Sequence, residues 1–492
     1  MTQNNYGMWV DGAVYPASGN ERIPVTNPYD LQTWGSIAVA TEADVKYAVH
    51  CAARCFRETW SKVNGYQRGR LLNVLADLLD THAERLAELE TRNNGKLYKE
   101  TLTQMRFCAR SYRYYAGWAD KIHGEYLPLD NPDIVDISHH RPYGVVALIT
   151  PWNSPMALLA NKLAPALAAG NCAVVKPSEF ASVTTLEFAA LISEAGFPAG
   201  TVNVLTGDSA TGTALIDHPA VRKVSFTGGN VGGQRVMERA SRRQIPVTLE
   251  LGGKSPNIIF ADANLPRAIN GAIAGIFAAG GQTCIAGSRL LVHECIYQEV
   301  VETLTARADQ IVLGNPMAPA TQMGPVANAP QHERITAIIN QTIGSGATLV
   351  TRGHSLDAMP TTGYFIAPTV FADVKPDMFI ARTEVFGPVL SILKFADEEE
   401  AISVANDNPF GLAAGIWTQD VSRAHRVAQR MEAGNVWVNT YRMGAVQAPF
   451  GGVKGSGFGK ERGIEGLRSY LTVHNLMIDT STHDDDPFSI RA

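Results

Sequence analysis

The sequence has 492 residues, of which 45% are hydrophobic and 18% are charged, and its formal net charge is −5. This length predicts about two to four domains with large cores, and the acidic balance argues against a nucleic acid or an anionic membrane as partner. No signal-peptide pattern, bilayer-length apolar run or metal-ligand spacing of the six cysteines is visible, so we expect a cytoplasmic protein without a metal site.

The first 144 residues predict short elements followed by helices. Residues 6–40 indicate strands and turns, and a helix is expected to begin at Thr41, where acidic residues occupy the first turn. Leucines at helical spacing predict one long helix over 67–92, and another is expected over about 100–121. Residues 124–144 contain three prolines, which favours an extended excursion outside any sheet core.

From residue 145 the pattern alternates between strand and helix, which is typical of a doubly wound parallel sheet. Strands are predicted at 145–150, 173–176, 203–205 and 224–226, with a helix at 155–169. A second α/β unit over 254–450 has expected helices near 265–279, 294–310 and 330–344 and strands near 288–293 and 389–394. Residues 467–478 predict a last strand. The acidic stretch 483–488 fits a solvated end as well as a role at a subunit or substrate entrance.

One thiol, Cys284, lies in a run of glycine and alanine, where no bulky neighbour shields the sulfur. Most single cysteines are inert and buried. However, residues 247–254 predict a strand on which Glu250 points away from the apolar side chains, and two glycines follow it. A thiol nucleophile beside a carboxylate base is what covalent chemistry on a carbonyl group requires.

Seven short motifs occur along the chain in this order: TPWN at 150–153, KPSE at 176–179, FTG at 226–228, ELGGKSP at 250–256, GQTCIAGSR at 281–289, EVFGP at 384–388 and PFGG at 449–452. Together they resemble the aldehyde dehydrogenase superfamily. The resemblance implies two doubly wound α/β domains and a small β oligomerisation arm. The implied cofactor domain covers 1–123 and 145–253, the catalytic domain covers 254–453, and the arm and tail cover 124–144 and 467–492.

The resemblance also implies a mechanism and a set of site residues. Cys284 would attack the aldehyde, Asn153 and the backbone N–H of Cys284 would stabilise the oxyanion, and Glu250 would activate the water that hydrolyses a thioester. Lys176 completes the implied catalytic set. The implied cofactor is NAD, with NADP as an alternative, and the implied contacts are Thr150, Pro151, Trp152, Lys176, Ser178, Glu179, Phe226, Thr227, Gly228, Gly229, Gly233, Leu251, Gln331, Glu384 and Phe386.

No Gly-x-Gly-x-x-Gly fingerprint occurs in a suitable context, and the resembled family does without one. In that family the loop that matches 228–233 lies against the pyrophosphate. Many members have a serine where this chain has Gly229, so one hydroxyl contact is expected to be missing here. Glu179 near the ribose would repel a 2′-phosphate, which favours NAD over NADP.

The substrate is an aldehyde whose identity the sequence leaves open. By correspondence, its pocket would be lined by Phe107, Leu158, Ile285, Arg442 and Phe450. Arg442 could anchor the carboxylate of a semialdehyde acid, or be a solvated or subunit-contacting charge, in which case an apolar or aromatic aldehyde fits equally well.

Other interpretations of the whole chain are an NADP-preferring or coenzyme-A-acylating relative and a redox-silent binding or structural protein of this fold. Glu250 favours hydrolysis to the free acid, because the acylating relatives typically lack it. The resemblance further implies a homodimer or homotetramer.

Overall fold

Two large sheets of mostly parallel strands organise the protein, whose computed structural model describes residues 4–351, 359–482 and 488. The elements up to residue 250 are β1 (Asn4–Tyr6), β2 (Met8–Val10), β3 (Ala13–Tyr15), β4 (Arg22–Thr26), β5 (Thr33–Ala38), α1 (Glu42–Glu58), α2 (Gly65–Thr81), α3 (Ala83–Asn94), α4 (Tyr98–Ala116), β6 (Tyr126–Leu127), β7 (Ile134–Pro142), β8 (Val145–Ile149), α5 (Pro155–Ala168), β9 (Cys172–Lys176), α6 (Val183–Glu194), β10 (Val202–Val204), α7 (Ser209–Asp217), β11 (Val221–Thr227), α8 (Asn230–Ser241) and β12 (Val247–Glu250).

The remaining elements build the second sheet and then return to the first. They are β13 (Pro256–Ile259), α9 (Leu265–Phe277), β14 (Arg289–His293), α10 (Tyr297–Ala308), α11 (Ala329–Ile343), β15 (Thr348–Leu349), β16 (Thr369–Ala372), α12 (Phe379–Arg382), β17 (Val389–Phe395), α13 (Glu398–Asn406), β18 (Phe410–Gly411), β19 (Ala413–Trp417), α14 (Val421–Arg430), β20 (Asn435–Val438), β21 (Val453–Lys454), β22 (Gly457–Phe458), α15 (Gly463–Arg468) and β23 (Leu471–Asp479).

The first sheet has the strand order β22-β12-β11-β8-β9-β10-β2-β3. Its five central strands, β12 to β10, are parallel, and all residues of β8 and β9 are buried, because helices cover both faces. The expected parallel sheet is therefore confirmed at the centre. The edge strands β2, β3 and β22 pair antiparallel, which the sequence did not predict.

The second sheet has the order β15-β16-β17-β14-β13-β19-β20, with only β15 antiparallel to its neighbour. Each face carries its own core, since successive residues of a strand point to opposite faces. Ile258 packs into one core and Ile259 into the other, and Leu291 and Leu290 divide in the same way. The second α/β unit expected from the sequence is thus present.

A small third sheet pairs β23 with β7 and β7 with β6, all antiparallel. The extended excursion expected over 124–144 is one half of it. The predicted last strand began too early, because residues 467 and 468 end α15 and the strand starts only at Leu471. The acidic stretch predicted at 483–488 lies outside the described residues except for Phe488.

The predicted helix over 67–92 was wrong as a single element. The chain breaks at His82 (φ −99°, ψ 11°), which ends α2 and precedes α3, so two helices carry the leucines. The leucine spacing continues through this break, and that is why the sequence pattern did not reveal it. The next helix also ends earlier than expected, at Ala116 instead of 121.

Candidate active site

The chain order of the first sheet reverses between β8 and β11, and a crevice opens where their carboxyl ends diverge. Ligands bind at such a switch point in open α/β sheets. The segment 150–153 follows β8, and the segment 228–229 follows β11. Both belong to the motifs on which the sequence prediction relied.

The second sheet meets this crevice with the amino ends of its strands. Cys284 lies in the loop before β14, and Glu384 lies in the loop before β17. The loop turns sharply because Gly280 and Gly281 have φ values of 60° and 70°. A Cβ on Gly281 would lie 2.0 Å from the carbonyl oxygen of Gly387, so only glycine fits at this point. This turn places the thiol between the two sheets.

Asn153 joins the two halves of the site. Its side chain is buried, and its Nδ2 donates a hydrogen bond to the carbonyl oxygen of Gln282 at 2.9 Å. Gln282 is itself held, because its Oε1 accepts from the backbone N–H of Ala327 at 2.9 Å. The Asn153 amide is thereby held against Gln282, which precedes Cys284 by two residues. An oxyanion donor must be fixed in this way before the reaction begins.

The electrostatics of the site favour the neutral form of both reactive groups. Burial raises the pKa of Cys284 to about 12, with further contributions from the carboxylates of Glu250 and Glu384, while Arg462 acts in the opposite direction. Burial also raises the pKa of Glu250 well above its usual range, and Glu461 adds to this. Neither carboxylate oxygen of Glu250 has a hydrogen-bond partner among the described residues, so both are available to a proton donor.

A cavity of about 590 Å³ runs from the switch point to Cys284. Nine of the predicted cofactor residues line it: Pro151, Trp152, Thr227, Gly228, Gly229, Leu251, Gln331, Glu384 and Phe386. The structure does not place the other six, Thr150, Lys176, Ser178, Glu179, Phe226 and Gly233, in its lining.

Part of this second set gathers at the carboxyl end of β9. The Nζ of Lys176 lies 3.4 Å from Glu179 Oε2, and the Ser178 hydroxyl donates to the same oxygen at 3.3 Å. Thr150 is next to them, since its N–H donates to the carbonyl of Lys176 at 3.1 Å. Burial lowers the pKa of Lys176. Phe226 and Gly233 instead pack around the turn into α8, against other small and apolar residues.

The side chain of Glu384 reaches from the loop before β17 to the segment that follows β12 of the first sheet. Its Oε1 accepts from the N–H of Gly253 at 2.9 Å, and burial raises its pKa. A Cβ on Gly252 would lie 2.3 Å from Oε2, so glycine allows this approach. Phe386 meets Trp152 edge to face at 5.3 Å, and the Gln331 amide donates to the carbonyls before and at Phe386.

A second cavity, of about 310 Å³, lies on the other side of the thiol. It contains all five predicted pocket residues, Phe107, Leu158, Ile285, Arg442 and Phe450. It shares only Asn153, Leu158 and Cys284 with the first cavity. The thiol of Cys284 thus lines both cavities.

Three charged residues near the site were not predicted: Lys162, Glu461 and Arg462. Lys162 and Glu461 form a buried ion pair, and Arg462 lines the second cavity. In the sequence, Glu461 and Arg462 belong to the run Lys460-Glu461-Arg462, which resembles a solvated turn. Nothing in its spacing indicated that it would be buried. Among the described residues no group of three or more His, Cys, Asp or Glu is arranged to hold a metal ion.

Comparison with known proteins gives one family. A model described as the aldehyde dehydrogenase family matches residues 15–476. The chain is 44% identical over 469 residues to a (Z)-2-((N-methylformamido)methylene)-5-hydroxybutyrolactone dehydrogenase of Acinetobacter baylyi, which covers 94% of this chain and 96% of the relative. It is 42% identical over 460 residues to retinal dehydrogenase 2 of Homo sapiens, covering 92% and 88%. An NAD+ complex of an aldehyde dehydrogenase from Bacillus cereus matches with a TM-score of 0.95, 40% identity and 97% of each chain.

Proposed function

This chain belongs to the aldehyde dehydrogenase family and oxidises an aldehyde to the carboxylic acid with NAD as acceptor, and we propose that Cys284 is its nucleophile. The observation that carries the proposal is the position of the thiol, which lines two cavities that share only two further residues, Asn153 and Leu158. A group so placed can contact an aldehyde from one side and a cofactor from the other. The other free cysteines of the described chain lie outside both linings.

In the proposed first step the Cys284 sulfur attacks the aldehyde carbon and forms a thiohemiacetal. Because the pKa of this thiol is about 12, its proton must leave during the attack, and it passes to solvent water. The carbonyl oxygen becomes an oxyanion. The Asn153 side chain and the backbone N–H of Cys284 would stabilise it.

The residues of the larger cavity fit NAD. The second carboxylate oxygen of Glu384, Oε2, lies beside Gly252, which leaves room for it to accept from a ribose hydroxyl while Oε1 is held by Gly253. Small residues at 228 and 229 leave the backbone at the start of α8 open to a phosphate. Lys176, Ser178 and Glu179 would hold the adenosine ribose at the neighbouring strand end. When bound, NAD supplies the acceptor for the hydride that leaves the thiohemiacetal carbon.

Loss of that hydride leaves a thioester on Cys284, which water must cleave. Glu250 is the base we propose for this water. Its raised pKa suits the task, because a carboxylate that holds its proton more tightly removes one from water more effectively. The acid is then released and the thiol restored.

We also propose the division into a cofactor domain (1–123 and 145–253), a catalytic domain (254–453) and an arm with tail (124–144 and 467–492). The separate cores around the two sheets support it. The arm sheet exposes Val473, Leu476, Met477 and Ile478, which favours a homodimer or homotetramer. A cytoplasmic location is part of the same proposal. In the described part of the chain no helix is long and apolar enough to cross a membrane.

The proposal is tested by replacing Cys284 with alanine and measuring NADH formation. We expect activity to fall to background while the folded state persists, and a Cys295→Ala variant, altered at an exposed cysteine, to keep its rate. Near-parent activity of Cys284→Ala would disprove the assignment.

A further inference from the structure

The smaller cavity carries an unbalanced positive charge. Among its lining residues, all of which lie in the described part of the chain, Arg442 and Arg462 are charged and none is acidic. Its walls are otherwise largely apolar or aromatic, with Phe107, Trp437 and Phe450 among them. A neutral aldehyde carries no negative charge that could pair with the two guanidinium groups of this cavity. A guanidinium can bind a substrate there only if the protein does not already occupy its donors.

Arg442 uses one of its two terminal nitrogens within the protein. Its Nη1 donates to the carbonyl oxygens of Ala274 and Ala278, at 3.1 and 3.0 Å, and so satisfies groups at the end of α9. The carboxylate of Glu100 also acts on it and favours its charged form. One terminal nitrogen of Arg442 is therefore occupied without any ligand, which leaves it poorly suited to a contact with a carboxylate through both terminal nitrogens.

Arg462 is held in place but not neutralised. Its guanidinium lies 5.1 Å from the ring of Phe107 and 4.8 Å from that of Phe450, and its Nε donates to Asn161 Oδ1 at 3.2 Å. The rings fix the plane of the group. Neither terminal nitrogen has a hydrogen-bond partner among the described residues.

The acidic groups of Glu461, Cys284 and Glu250 act on Arg462, but none of them is hydrogen-bonded to it among the described residues. Glu461 pairs with Lys162 in the interior. Glu250 has a pKa well above its usual range. The sulfur of Cys284 is a thiol at rest. The charge of Arg462 thus has coulombic neighbours such as Glu461 but no hydrogen-bonded carboxylate among the described residues, and its terminal nitrogens stay open to a ligand.

The backbone holds Arg462 in an unusual conformation. Its φ of 59° is uncommon for a residue with a side chain. The conformation is imposed from both sides: Glu461 and Phe450 exchange two backbone hydrogen bonds of 2.8 Å, and the Arg462 carbonyl accepts from Gly466 at 2.8 Å. Strain of this kind clusters at functional sites, where surrounding structure maintains it. Here it brings the guanidinium over the Phe450 ring.

We propose that Arg462 binds an anionic group, of the carboxylate class, at the end of the substrate remote from the aldehyde. The substrate would be an aldehyde acid whose carboxylate accepts two N–H bonds from the terminal nitrogens. The inference rests on the proposed role of Cys284, since it places the aldehyde at that sulfur. It transfers to Arg462 the anchoring role that the sequence suggested for Arg442.

The experiment compares each acid with its methyl ester, which has nearly the same shape but no charge. The pairs are 4-oxobutanoate and methyl 4-oxobutanoate, and 4-formylbenzoate and methyl 4-formylbenzoate. With the parent enzyme and NAD we expect kcat/KM for the acid to exceed that for the ester by about 10-fold or more in at least one pair. Equal values, or a preference for the ester in both pairs, would overturn the proposal.

Variants at Arg462 then test whether this residue is the source of the preference for the acid. In Arg462→Gln the acid-to-ester ratio should fall to within about threefold of unity, through a higher KM for the acid. Arg462→Lys, which keeps the charge but loses the planar fork, should give an intermediate ratio and serves if the glutamine variant does not fold. Arg468→Gln, an exposed arginine of α15, is the matched control and should change neither value.

Two results would refute the role of Arg462. One is a ratio that persists in Arg462→Gln, and the other is a ratio that is lost in Arg442→Gln alone. Both leave the proposed chemistry of Cys284 intact. Failure of that chemistry would show separately, as NADH formation by Cys284→Ala with the neutral esters.

Discussion

The ammonium group of Lys162 contacts the carboxylate of Glu461 in the protein interior, where the two side chains are 0% and 3% exposed. Lys162 also donates to the Ser225 hydroxyl at 3.0 Å. The two charges act on Glu250 in opposite senses, because Glu461 raises its pKa and Lys162 lowers it. The ion pair therefore helps to determine the protonation of the proposed base.

Breaking this pair should destabilise the protein strongly. Lys162→Met leaves the Glu461 carboxylate buried without a counter-charge, which costs about 3–5 kcal/mol of unfolding free energy. The double variant with Glu461→Gln should recover much of that loss, since no charge is then isolated. Urea midpoints measure both. Arg430→Gln, which breaks an exposed pair with Glu399, is the control and should cost under about 1 kcal/mol.

Replacing Glu250 should preserve the oxidation step and slow the hydrolysis of the thioester. In Glu250→Gln we expect about one NADH per active site in a first turnover, followed by a steady rate lower by about 10²–10⁴-fold, because the thioester lacks its base. Intact-protein mass spectrometry should find the acyl group on Cys284. A variant with a low steady rate and no acyl adduct would show that Glu250 acts before the hydride leaves.

The same variant should be more stable than the parent at high pH. Burial raises the pKa of Glu250 above the ordinary carboxyl value of 4.5, so between the two values the folded protein binds more protons than the unfolded chain. The contribution of Glu250 to stability therefore falls as pH rises, by about 1.4 kcal/mol per unit. Glutamine does not titrate. Midpoints of thermal unfolding should favour Glu250→Gln at pH 8, with an advantage that shrinks towards pH 5.

Substitutions at two glycines of the larger cavity should change KM for NAD in opposite directions. Gly252→Ala would place a methyl group 2.3 Å from Glu384 Oε2, so the carboxylate must move and KM for NAD should rise by about 10-fold. A Cβ on Gly229 would meet no atom within 4 Å, and this residue caps α8 without a side-chain hydrogen bond. Gly229→Ser should therefore stabilise by a few tenths of a kcal/mol and lower KM for NAD. Initial rates at varied NAD decide both; a rise in KM for Gly229→Ser would contradict the open geometry.

The sequence indicated the parts of the fold that local patterns encode. Buried strands such as Val145–Ile149 are continuous apolar runs, and the small residues around Cys284 marked the loop that carries it. The break at His82 was missed because the leucine spacing continues across it from 79 to 86, although Asp80, Thr81 and His82 are weak helix formers. The strands at the sheet edges are two or three residues long, too short for a period to be visible.

The anchoring arginine could not be predicted for a different reason. Arg462 is placed by contacts between residues far apart in the sequence, with Phe107 on one side and Asn161 on another. A charged residue after a glycine-rich turn is usually solvated. Only the assembled structure distinguishes it from Arg442, whose acceptors lie at the end of a separate helix.

The two cavities share three lining residues and no more, which has a kinetic consequence. Each reactant has its own cavity, so we expect each product to leave from the cavity of the reactant it resembles. The reduced cofactor should compete with NAD and not with the aldehyde, and the acid should compete with the aldehyde and not with NAD. Release of the reduced cofactor should therefore not depend on prior release of the acid, and the reverse should hold as well.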